Sequence, residues 1–524
     1  MGGMERLLVP TRLAGSPQEA LAGVLGAARA CMASPPHVLV FPFPVQGHIN
    51  CLLHFATGLA AEGLRVTFLH TDYNFRRLGR DPPAPGSPHL RFVSVPDGLP
   101  DGHPRSMRGF GELMESLRTK CSVAYRALLA SLQAPSADAD VFPPVTCVVA
   151  DGLLPFGTDI PEELGVPANA FRTASACSFL AYLSVPKLLE LGQLPFPEGG
   201  DLDEPVLGVP GMESYLRRRD LPRQCRNLTT NHDDPMLQTV VAVTAHSRTA
   251  RALVLNTAVS LESSALAQIA PHMRDVFAVG PLHAMFPEPA AATSLCHEDG
   301  GCMAWLDGQE DSSVVYVSLG SLAVITSQQF EELLARLVAT GHAFLWVLRP
   351  DAVEASGDGD AVSLRVREAI RSPGSGGRAC FVAWAPQRDV LRHRAVGCFL
   401  THAGWNSTME GIVGGLPMVC WPFFADQQIN SRFVAAVWRN GLDMKDVCDR
   451  VTVESMVREA MQCTEMRRSA QALTEQVRRD IAEGGSSATE FQQLLRFIKE
   501  LSASPPPCAP GATSLRSKSD NPEW

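Results

Sequence analysis

Residues 37–69 read HVLVFPFPVQGHINCLLHFATGLAAEGLRVTFL, and the order of patterns in this stretch decides the fold class. The apolar run 37–41 has the length of a strand and is followed by two prolines. A helical pattern from about Ile49 to Glu62 comes next, and Gly63 stops it before a second apolar run at 65–69. A strand, a helix and a strand within about 35 residues predict a βαβ unit of a parallel sheet.

The same pattern recurs in both halves of the chain. Residues 146–150 predict another buried strand, and strands in the second half are predicted at 314–318, 344–348, 397–401 and 417–421. Alternating strands and helices predict an α/β protein of two doubly wound, Rossmann-like domains that face a central cleft.

Four polar residues, two from each half, lie just past the ends of predicted strands. They are His48, Asp151, Ser321 and His402. Open α/β sheets bind ligands beyond the carboxyl ends of their strands. The pattern alone therefore predicts one ligand site in the cleft between the domains.

The composition excludes several classes of function. The chain has 524 residues, and 45% of them are apolar, which is enough for more than one core. A net charge of −10 does not favour binding to nucleic acid or to an anionic membrane surface. No run approaches the roughly 20 apolar residues of a membrane-spanning helix.

The 14 cysteines are scattered singly, with no CxxC pair, which predicts reduced thiols and a cytoplasmic protein. Cys296, His297 and Cys302 resemble part of a zinc site but lack a fourth ligand, so we expect no metal there. Residues 1–31 have the Arg and Ala content of a transit peptide, but translation from Met32 is the simpler interpretation.

Residues 402–410 read HAGWNSTME and predict a phosphate site. A strand leads into a glycine turn and the turn into a helix, and free N–H groups at a helix N-terminus bind phosphate well. His402, Asn406 and Ser407 can add donors. A plain capping box is the alternative, because Ser407-x-x-Glu410 has the required spacing.

A wider set of residues, spread over the 44 positions from Trp384 to Gln427, surrounds this segment. It consists of Trp384, Ala385, Pro386, Gln387, Val390, Leu391, His393, Gly397, Phe399, His402, Gly404, Trp405, Asn406, Ser407, Glu410, Gly415, Pro417, Pro422, Asp426 and Gln427. In type and spacing these residues closely resemble the signature of plant family-one UDP-sugar glycosyltransferases. The resemblance covers about residues 36–500 and is strongest to the branch that contains cyanohydrin and terpenoid glucosyltransferases.

This resemblance implies the GT-B fold, with UDP-glucose as donor in the C-terminal domain, the acceptor in the N-terminal domain, and no further cofactor. We therefore expect the following organisation. It comprises a disordered extension (1–33), an acceptor-binding domain (34–280), a linker (281–300), a UDP-sugar-binding domain (301–475), a helix that packs back onto the N-terminal domain (476–502) and a disordered tail (503–524).

The resemblance also implies which residues bind the nucleotide. Trp384 would stack on uracil beside Ala385 and Gln387. Glu410 would accept hydrogen bonds from the ribose hydroxyls, as a carboxylate suits paired O–H donors. The diphosphate would be held by His402, Asn406, Ser407 and Ser321.

On the sugar side, the resemblance implies hydrogen bonds from Trp405, Asp426 and Gln427 to the sugar hydroxyls. A Gln rather than a His at the end of the signature favours glucose. Thr173 matches a position that can touch the sugar, although Arg172 stands where the family usually has Trp.

His48 and Asp151 are the predicted catalytic pair. Inverting transfer needs a base that takes the proton of the acceptor hydroxyl, and a histidine suits this at neutral pH. A carboxylate orients the ring and stabilises the imidazolium. Residues 44–50 and 149–152 resemble the family's catalytic loop and Asp turn; without that resemblance, two ordinary loop residues explain the pattern equally well. Nearby, Pro161 stands at a helix position of the family and is expected to delay that helix start.

Three Asp-x-Asp pairs could bind a divalent ion on the diphosphate in glycosyltransferases of the other major fold. Each pair lies in a polar or Gly/Pro-rich loop away from the strand ends, so we expect solvated turns and no metal. They are Asp138 and Asp140, Asp201 and Asp203, and Asp358 and Asp360.

The predicted function is inverting transfer of glucose from UDP-glucose to a hydroxyl, or alternatively a carboxyl, of a small lipophilic plant metabolite, by a monomeric cytoplasmic enzyme. A non-catalytic sugar-nucleotide-binding protein of the same fold is the alternative, and a hydrolase would use water as acceptor. Residues 42–47 lack the Gly-x-Gly-x-x-Gly of a nicotinamide oxidoreductase.

Overall fold

The computed structural model describes residues 35–78, 87–105, 109–134, 142–197, 199–226, 234–286, 298–354, 377–445 and 450–503. The predicted extension 1–33 and all of the predicted tail except Ala503 lie outside these residues, as do Cys296, His297 and two of the three Asp-x-Asp pairs.

The described strands form two sheets in which every neighbouring pair is parallel. The first has the order β3-β2-β1-β4-β5-β6-β7 and the second β10-β9-β8-β11-β12-β13. The strands are β1 (His37–Phe41), β2 (Arg65–Thr71), β3 (Leu90–Val95), β4 (Cys147–Asp151), β5 (Ala168–Arg172), β6 (Leu253–Leu255), β7 (Val276–Ala278), β8 (Val314–Ser318), β9 (Ala343–Val347), β10 (Ala379–Val382), β11 (Val396–Thr401), β12 (Met418–Cys420) and β13 (Gly441–Asp443).

Two π-helical turns, at Leu117–Cys121 and Phe433–Val437, each follow a helix. The strands are connected by helices. They are α1 (Gln46–Ala61), α2 (Asp72–Arg77), α3 (Phe110–Ser116), α4 (Ser122–Gln133), α5 (Pro155–Glu163), α6 (Ala176–Glu190), α7 (Arg223–Arg226), α8 (Pro235–His246), α9 (Val259–Ile269), α10 (Leu282–Met285), α11 (Gly301–Asp307), α12 (Ser327–Thr340), α13 (Gln387–Arg392), α14 (Trp405–Gly414), α15 (Gln427–Arg432), α16 (Arg450–Gln462), α17 (Thr464–Ile481) and α18 (Ser486–Ala503). Two parallel sheets connected in this way confirm the predicted α/β class with two Rossmann-like units.

The central strands are apolar because helices cover both faces of each sheet. All residues of β1 and β8 are buried. The last helix, α18, contributes Phe491, Leu494 and Ile498 to the same apolar core as Phe55 of α1. The chain therefore returns to its first half at its C-terminal end.

Helix α1 begins three residues before its predicted start. Val45 is extended (φ −122°, ψ 152°) and precedes the helix without a side-chain cap, so no capping residue marks the start in the sequence. As a result His48 lies in the first turn of a helix rather than in a loop. Asp151, predicted just past its strand, is the last residue of β4.

Two further sequence predictions are wrong in detail. Pro161 does not delay the start of α5, which begins at Pro155; Pro161 lies in its last turn, and its carbonyl accepts from Leu164 N and Val166 N. The single helix predicted over 476–502 is two helices, since α17 ends at Ile481 and the connection contains Gly484 at φ +78°.

Candidate active site

A cavity of about 380 Å³ lies between the two sheets, at the carboxyl ends of their strands. Its walls come from both halves of the chain. Every residue that the sequence nominated for the site lines it: His48, Asp151, Thr173, Ser321, Trp384, Ala385, Gln387, His402, Trp405, Asn406, Ser407, Glu410, Asp426 and Gln427. The structure thus brings all of them together, and their individual contacts show what each can offer a ligand.

His48 and Asp151 are in direct contact. His48 Nδ1 lies 2.6 Å from Asp151 Oδ2, while Asp151 Oδ1 accepts from Leu153 N at 3.0 Å. The carboxylate is fully buried, whereas 23% of the His48 side chain is exposed. Burial pushes the pKa of Asp151 up, but the His48 charge and hydrogen bond and the Leu153 N–H bring it below its ordinary value. An ionised carboxylate therefore fixes one ring nitrogen of a histidine that borders the cavity.

The Thr173 hydroxyl contacts the His48 ring. Its Oγ1 lies 3.0 Å from His48 Nδ1 and 3.4 Å from Nε2. The hydroxyl therefore helps to hold the imidazole ring, a contact that the sequence did not predict. A contact with the sugar, which the resemblance implied, stays a prediction.

The helix that follows β11 presents free N–H groups to the cavity. Its N-cap is Gly404, which offers no side-chain cap, and Ala403 before it has φ +59°, in the left-handed region that is rare for a residue with a side chain. Ser407 is the third residue of α14, so the capping-box interpretation of Ser407 and Glu410 is wrong. The first turn of α14 is open to an anion.

His402 is wedged between two glycines. A Cβ atom at Gly320 or Gly404 would lie 2.5 Å from His402 Nε2, so neither position has room for a side chain. Burial, together with the charge of Arg349, lowers the pKa of His402 to about 4. His402 is therefore neutral at physiological pH, and its buried Nδ1 has no partner among the described residues.

A hydrogen-bonded chain holds Glu410, which lies one turn after Ser407 on α14. Tyr316 Oη donates to Gln387 Oε1 at 3.1 Å, and Gln387 Nε2 donates to Glu410 Oε2 at 2.6 Å and to Ser407 Oγ at 3.1 Å. Trp384, three residues before Gln387, is half-buried and lines the cavity. Gln387 thus orients Glu410 and Ser407 in addition to lying near the predicted uracil position.

Two side chains that were predicted to bind the UDP-sugar donate hydrogen bonds to the backbone of the first half. Asn406 Nδ2 donates to the carbonyl of Gly47 at 2.7 Å, across the cleft. Trp405 Nε1 donates to the carbonyl of Asn256 at 2.7 Å. The indole N–H of Trp405 and one N–H of the Asn406 amide are thus donated to the backbone of the first half, while the second amide N–H of Asn406 is not used by this bond. The contacts of these two residues with sugar and diphosphate stay predictions. Both bonds tie α14 to that half.

Asp426 and Gln427 each have one side-chain oxygen bonded within the protein. Gln427 Oε1 accepts from Phe423 N and Phe424 N at 2.7 and 3.1 Å, which leaves its amide N–H groups for a ligand. Burial raises the pKa of Asp426 to about 6, and Asn430 Nδ2 donates to its Oδ2 at 2.9 Å. At pH 7 Asp426 is an acceptor directed at the cavity.

Asn430 is a residue of the site that the sequence analysis missed. It is buried, accepts from Ser175 Oγ at 2.7 Å, and donates to Ala403 O at 2.9 Å. It thereby joins the first half to the strained turn before α14. Its position four residues after Asp426 in a helical pattern was the available signal.

No metal centre is evident in the part of the chain that is described, where no cluster of three or more His, Cys, Asp and Glu side chains could hold an ion. The Asp-x-Asp pair within it is a turn: Asp203 N donates to Asp201 Oδ1 at 2.8 Å, and Asp203 pairs with Arg217 and Arg219. Among the helices of the described ranges, none has the length and apolar character needed to cross a bilayer.

Comparison with known proteins identifies the family. The model of the family described as UDP-glucoronosyl and UDP-glucosyl transferase matches residues 237–464, and that of the glycosyltransferase N-terminal domain matches 36–79. The myricetin 3-O-rhamnoside 1,2-glucosyltransferase of Crocosmia x crocosmiiflora is 44% identical over 473 residues, which are 89% of this chain and 96% of that protein. The chain belongs to the UDP-glucoronosyl and UDP-glucosyl transferase family.

Other members of the UDP-glucoronosyl and UDP-glucosyl transferase family agree. A 7-deoxyloganetic acid glucosyl transferase of Catharanthus roseus is 40% identical over 482 residues, covering 89% of this chain and 98% of that protein. The crystal structure of Os79 from O. sativa in complex with UDP has a TM-score of 0.72 at 28% identity, covering 88% of this chain and 100% of that one. The predictions of a family-one glycosyltransferase, of the GT-B fold and of a UDP-glucosyltransferase enzyme are confirmed.

Proposed function

We propose that this chain transfers glucose from UDP-glucose to a hydroxyl of a small lipophilic plant metabolite, with inversion at the anomeric carbon and with His48 as general base. The 2.6 Å contact between His48 Nδ1 and Asp151 Oδ2 at the edge of the cleft carries the proposal. Because Asp151 holds Nδ1, the other ring nitrogen is the one that can accept a proton from a bound acceptor.

In the proposed reaction the acceptor oxygen attacks the anomeric carbon from the face opposite UDP. A new carbon–oxygen bond forms, the bond to the β-phosphate oxygen breaks, and its electron pair leaves with UDP. The acceptor proton passes to His48 Nε2, and the buried carboxylate of Asp151 stabilises the resulting imidazolium.

We assign the donor to the second half of the chain. Trp384 offers an aromatic face for uracil, and Glu410, oriented by Gln387, accepts from the ribose hydroxyls. The open first turn of α14 and the side chains of His402, Ser321 and Ser407 stabilise the diphosphate without a metal ion.

For the sugar, Asp426 and the free amide of Gln427 are the proposed partners, and Trp405 contributes its backbone N–H rather than its indole. The resemblance at Gln427 supports glucose as the transferred sugar. Because the cleft is complete within one chain, we propose that the enzyme acts as a monomer.

The acceptor belongs on the side of the cleft that the first half builds. Phe43, Phe110, Leu153, Met236 and Val240 line it and form an apolar wall. The names of the two relatives, which refer to a myricetin rhamnoside and to 7-deoxyloganetic acid, support a plant metabolite of moderate size. The free cysteines of the described residues support a reducing compartment, and we propose the cytoplasm.

A transfer assay tests this function. The protein is incubated with UDP-glucose, EDTA and a pooled set of plant phenols, terpenols and cyanohydrins, and products are read by mass spectrometry for a gain of one hexose. We expect hexosylated products that form in the presence of EDTA. UDP release without a hexosylated product would favour a hydrolase. UDP-glucose binding with neither UDP release nor a hexosylated product would favour a binding protein.

A further inference from the structure

Arg172, the last residue of β5, is a buried cation that borders the cleft. Only 4% of its surface is exposed. Its Nη1 is completely buried and has no hydrogen-bond partner among the described residues. A guanidinium stays charged, and burying an unpaired charge is costly, so such a group calls for an anion.

The neighbouring carboxylates do not supply that anion. Asp151 is bonded to His48 and to the Leu153 N–H, and Asp426 is bonded to Asn430. Both charges are close enough to favour the cationic form of Arg172, yet within the described residues neither forms an ion pair with it. Within the described residues Nη1 is therefore left without an acceptor, on a side chain that lines the cavity.

The surroundings hold the Arg172 side chain in place. A Cβ atom at residue 152 would lie 2.5 Å from Arg172 Cδ, so Gly152 makes room for its stem. The ring of Phe179 lies 5.4 Å from Cζ, a cation–π distance. The cavity that Arg172 lines is also lined by Leu153, Tyr182 and Met236. A fixed cation thus stands at the edge of a largely apolar pocket.

We propose that Arg172 binds a carboxylate of the acceptor, so that the preferred acceptors are hydroxy acids with an apolar body. This inference rests on the proposed transferase function and narrows its substrate class. A carboxylate can also arrive on the donor, if the transferred sugar is a uronic acid. The Arg172 side chain packs against Gly152 and Phe179 of the first half of the chain, which favours the acceptor.

Paired substrates test the proposal. Hydroxycinnamic, hydroxybenzoic and terpenoid hydroxy acids are each compared with their methyl esters, with UDP-glucose as donor and hexoside formation as readout. We expect the wild type to favour the acids. In Arg172→Gln the acid-to-ester ratio of kcat/KM should fall about 10- to 100-fold, the effect of losing one charge-assisted hydrogen bond, and Arg172→Lys should retain part of it.

Several results would overturn the proposal. A wild type without acid preference would do so, and so would an equal loss for acids and esters in Arg172→Gln, which would indicate that Arg172 acts only through Asp151. Turnover of UDP-glucuronate that depends on Arg172, without an acid effect, would move the carboxylate to the donor. Arg251→Gln is the matched control, because Arg251 pairs with Glu162 beside Ala168, at the opposite end of β5 from Arg172.

A binding measurement separates this inference from the proposed function. The UDP-saturated protein is titrated with the same acids and esters, and tryptophan fluorescence reports binding. Tighter binding of acids that is lost in Arg172→Gln supports the carboxylate site even if no hexoside forms, whereas equal affinities for acid and ester contradict it even if transfer is efficient.

Discussion

Replacing Asp151 by Asn is the most informative single change in the proposed catalytic pair. Asp151 Oδ2 lies 2.6 Å from His48 Nδ1 and is fully buried, so the contact is a charge-assisted hydrogen bond in a low dielectric. Such a bond contributes about 1.5–3 kcal/mol, or roughly a 10- to 100-fold change in rate if it is made only in the transition state.

A second effect adds to this loss. The amide of Asn can present its own N–H to Nδ1, which would place the ring proton on the nitrogen that must accept one; the same change in a Ser-His-Asp triad lowers kcat by about 10⁴. For Asp151→Asn we therefore expect kcat to fall about 10²- to 10⁴-fold. UDP affinity should change little, because the predicted donor residues are on the second half of the chain.

The assay is steady-state glucoside formation with UDP affinity measured separately by calorimetry. Asp159→Asn is a matched control, because Asp159 Oδ1 lies 2.9 Å from His246 Nε2 in an exposed His–Asp pair outside the cleft. A kcat for Asp151→Asn within a few-fold of the control would refute the role of Asp151, and so would a loss explained wholly by weaker UDP binding.

Substitutions of Gln427, Asp426 and His70 test the proposed sugar contacts and a buried histidine of the first sheet. Gln427→His should shift the donor preference from UDP-glucose toward UDP-galactose, measured as the ratio of kcat/KM values. Because burial raises the pKa of Asp426 to about 6, the KM for UDP-glucose should rise as pH falls through 6, and Asp426→Asn should show a raised KM without that dependence. His70 is buried between Phe68 and Phe92, neither ring nitrogen has a partner among the described residues, and burial lowers its pKa to about 4. The unfolded chain binds this proton near pH 6.5 and the folded chain only near 4, so stability is lost as pH falls between them. His70→Phe should therefore gain about 2 kcal/mol at pH 5 relative to pH 8, measured by urea unfolding.

Each of these three predictions would be contradicted by a specific result. An unchanged glucose-to-galactose ratio would remove the sugar assignment of Gln427. A pH dependence of KM that persists in Asp426→Asn would assign it to another group. Equal stability differences between His70→Phe and the wild type at pH 5 and pH 8 would show that His70 does not resist protonation in the folded state.

The sequence predicted seven of the thirteen described strands, because apolar runs of five residues between turns leave few alternatives; β3, β5, β6, β7, β10 and β13 were not predicted. The signature from Trp384 to Gln427 and the strand-end positions of His48 and Asp151 also placed every nominated residue in one cleft. Local patterns were sufficient for this, since strand ends of parallel sheets converge at one edge.

What the sequence did not reveal are contacts between distant parts of the chain. The indole of Trp405 donates to Asn256, 149 residues away, and the amide of Asn406 donates to Gly47, 359 residues away. No local pattern reports such partners. The early start of α1 likewise depends on the extended backbone of Val45 rather than on a capping side chain. That Arg172 Nη1 has no partner among the described residues becomes visible only when the whole cleft is assembled.

The role of His48 as general base is tested by comparing His48→Ala with the wild type and with His246→Ala in glucosyl transfer from UDP-glucose. The products' anomeric configuration is read by proton NMR, and UDP affinity by calorimetry. We expect a β-glucoside from the wild type and from His246→Ala, and a kcat about 10²- to 10⁴-fold lower for His48→Ala with nearly unchanged UDP affinity. Near-normal turnover by His48→Ala, or an α-glucoside from the wild type, would contradict this expectation.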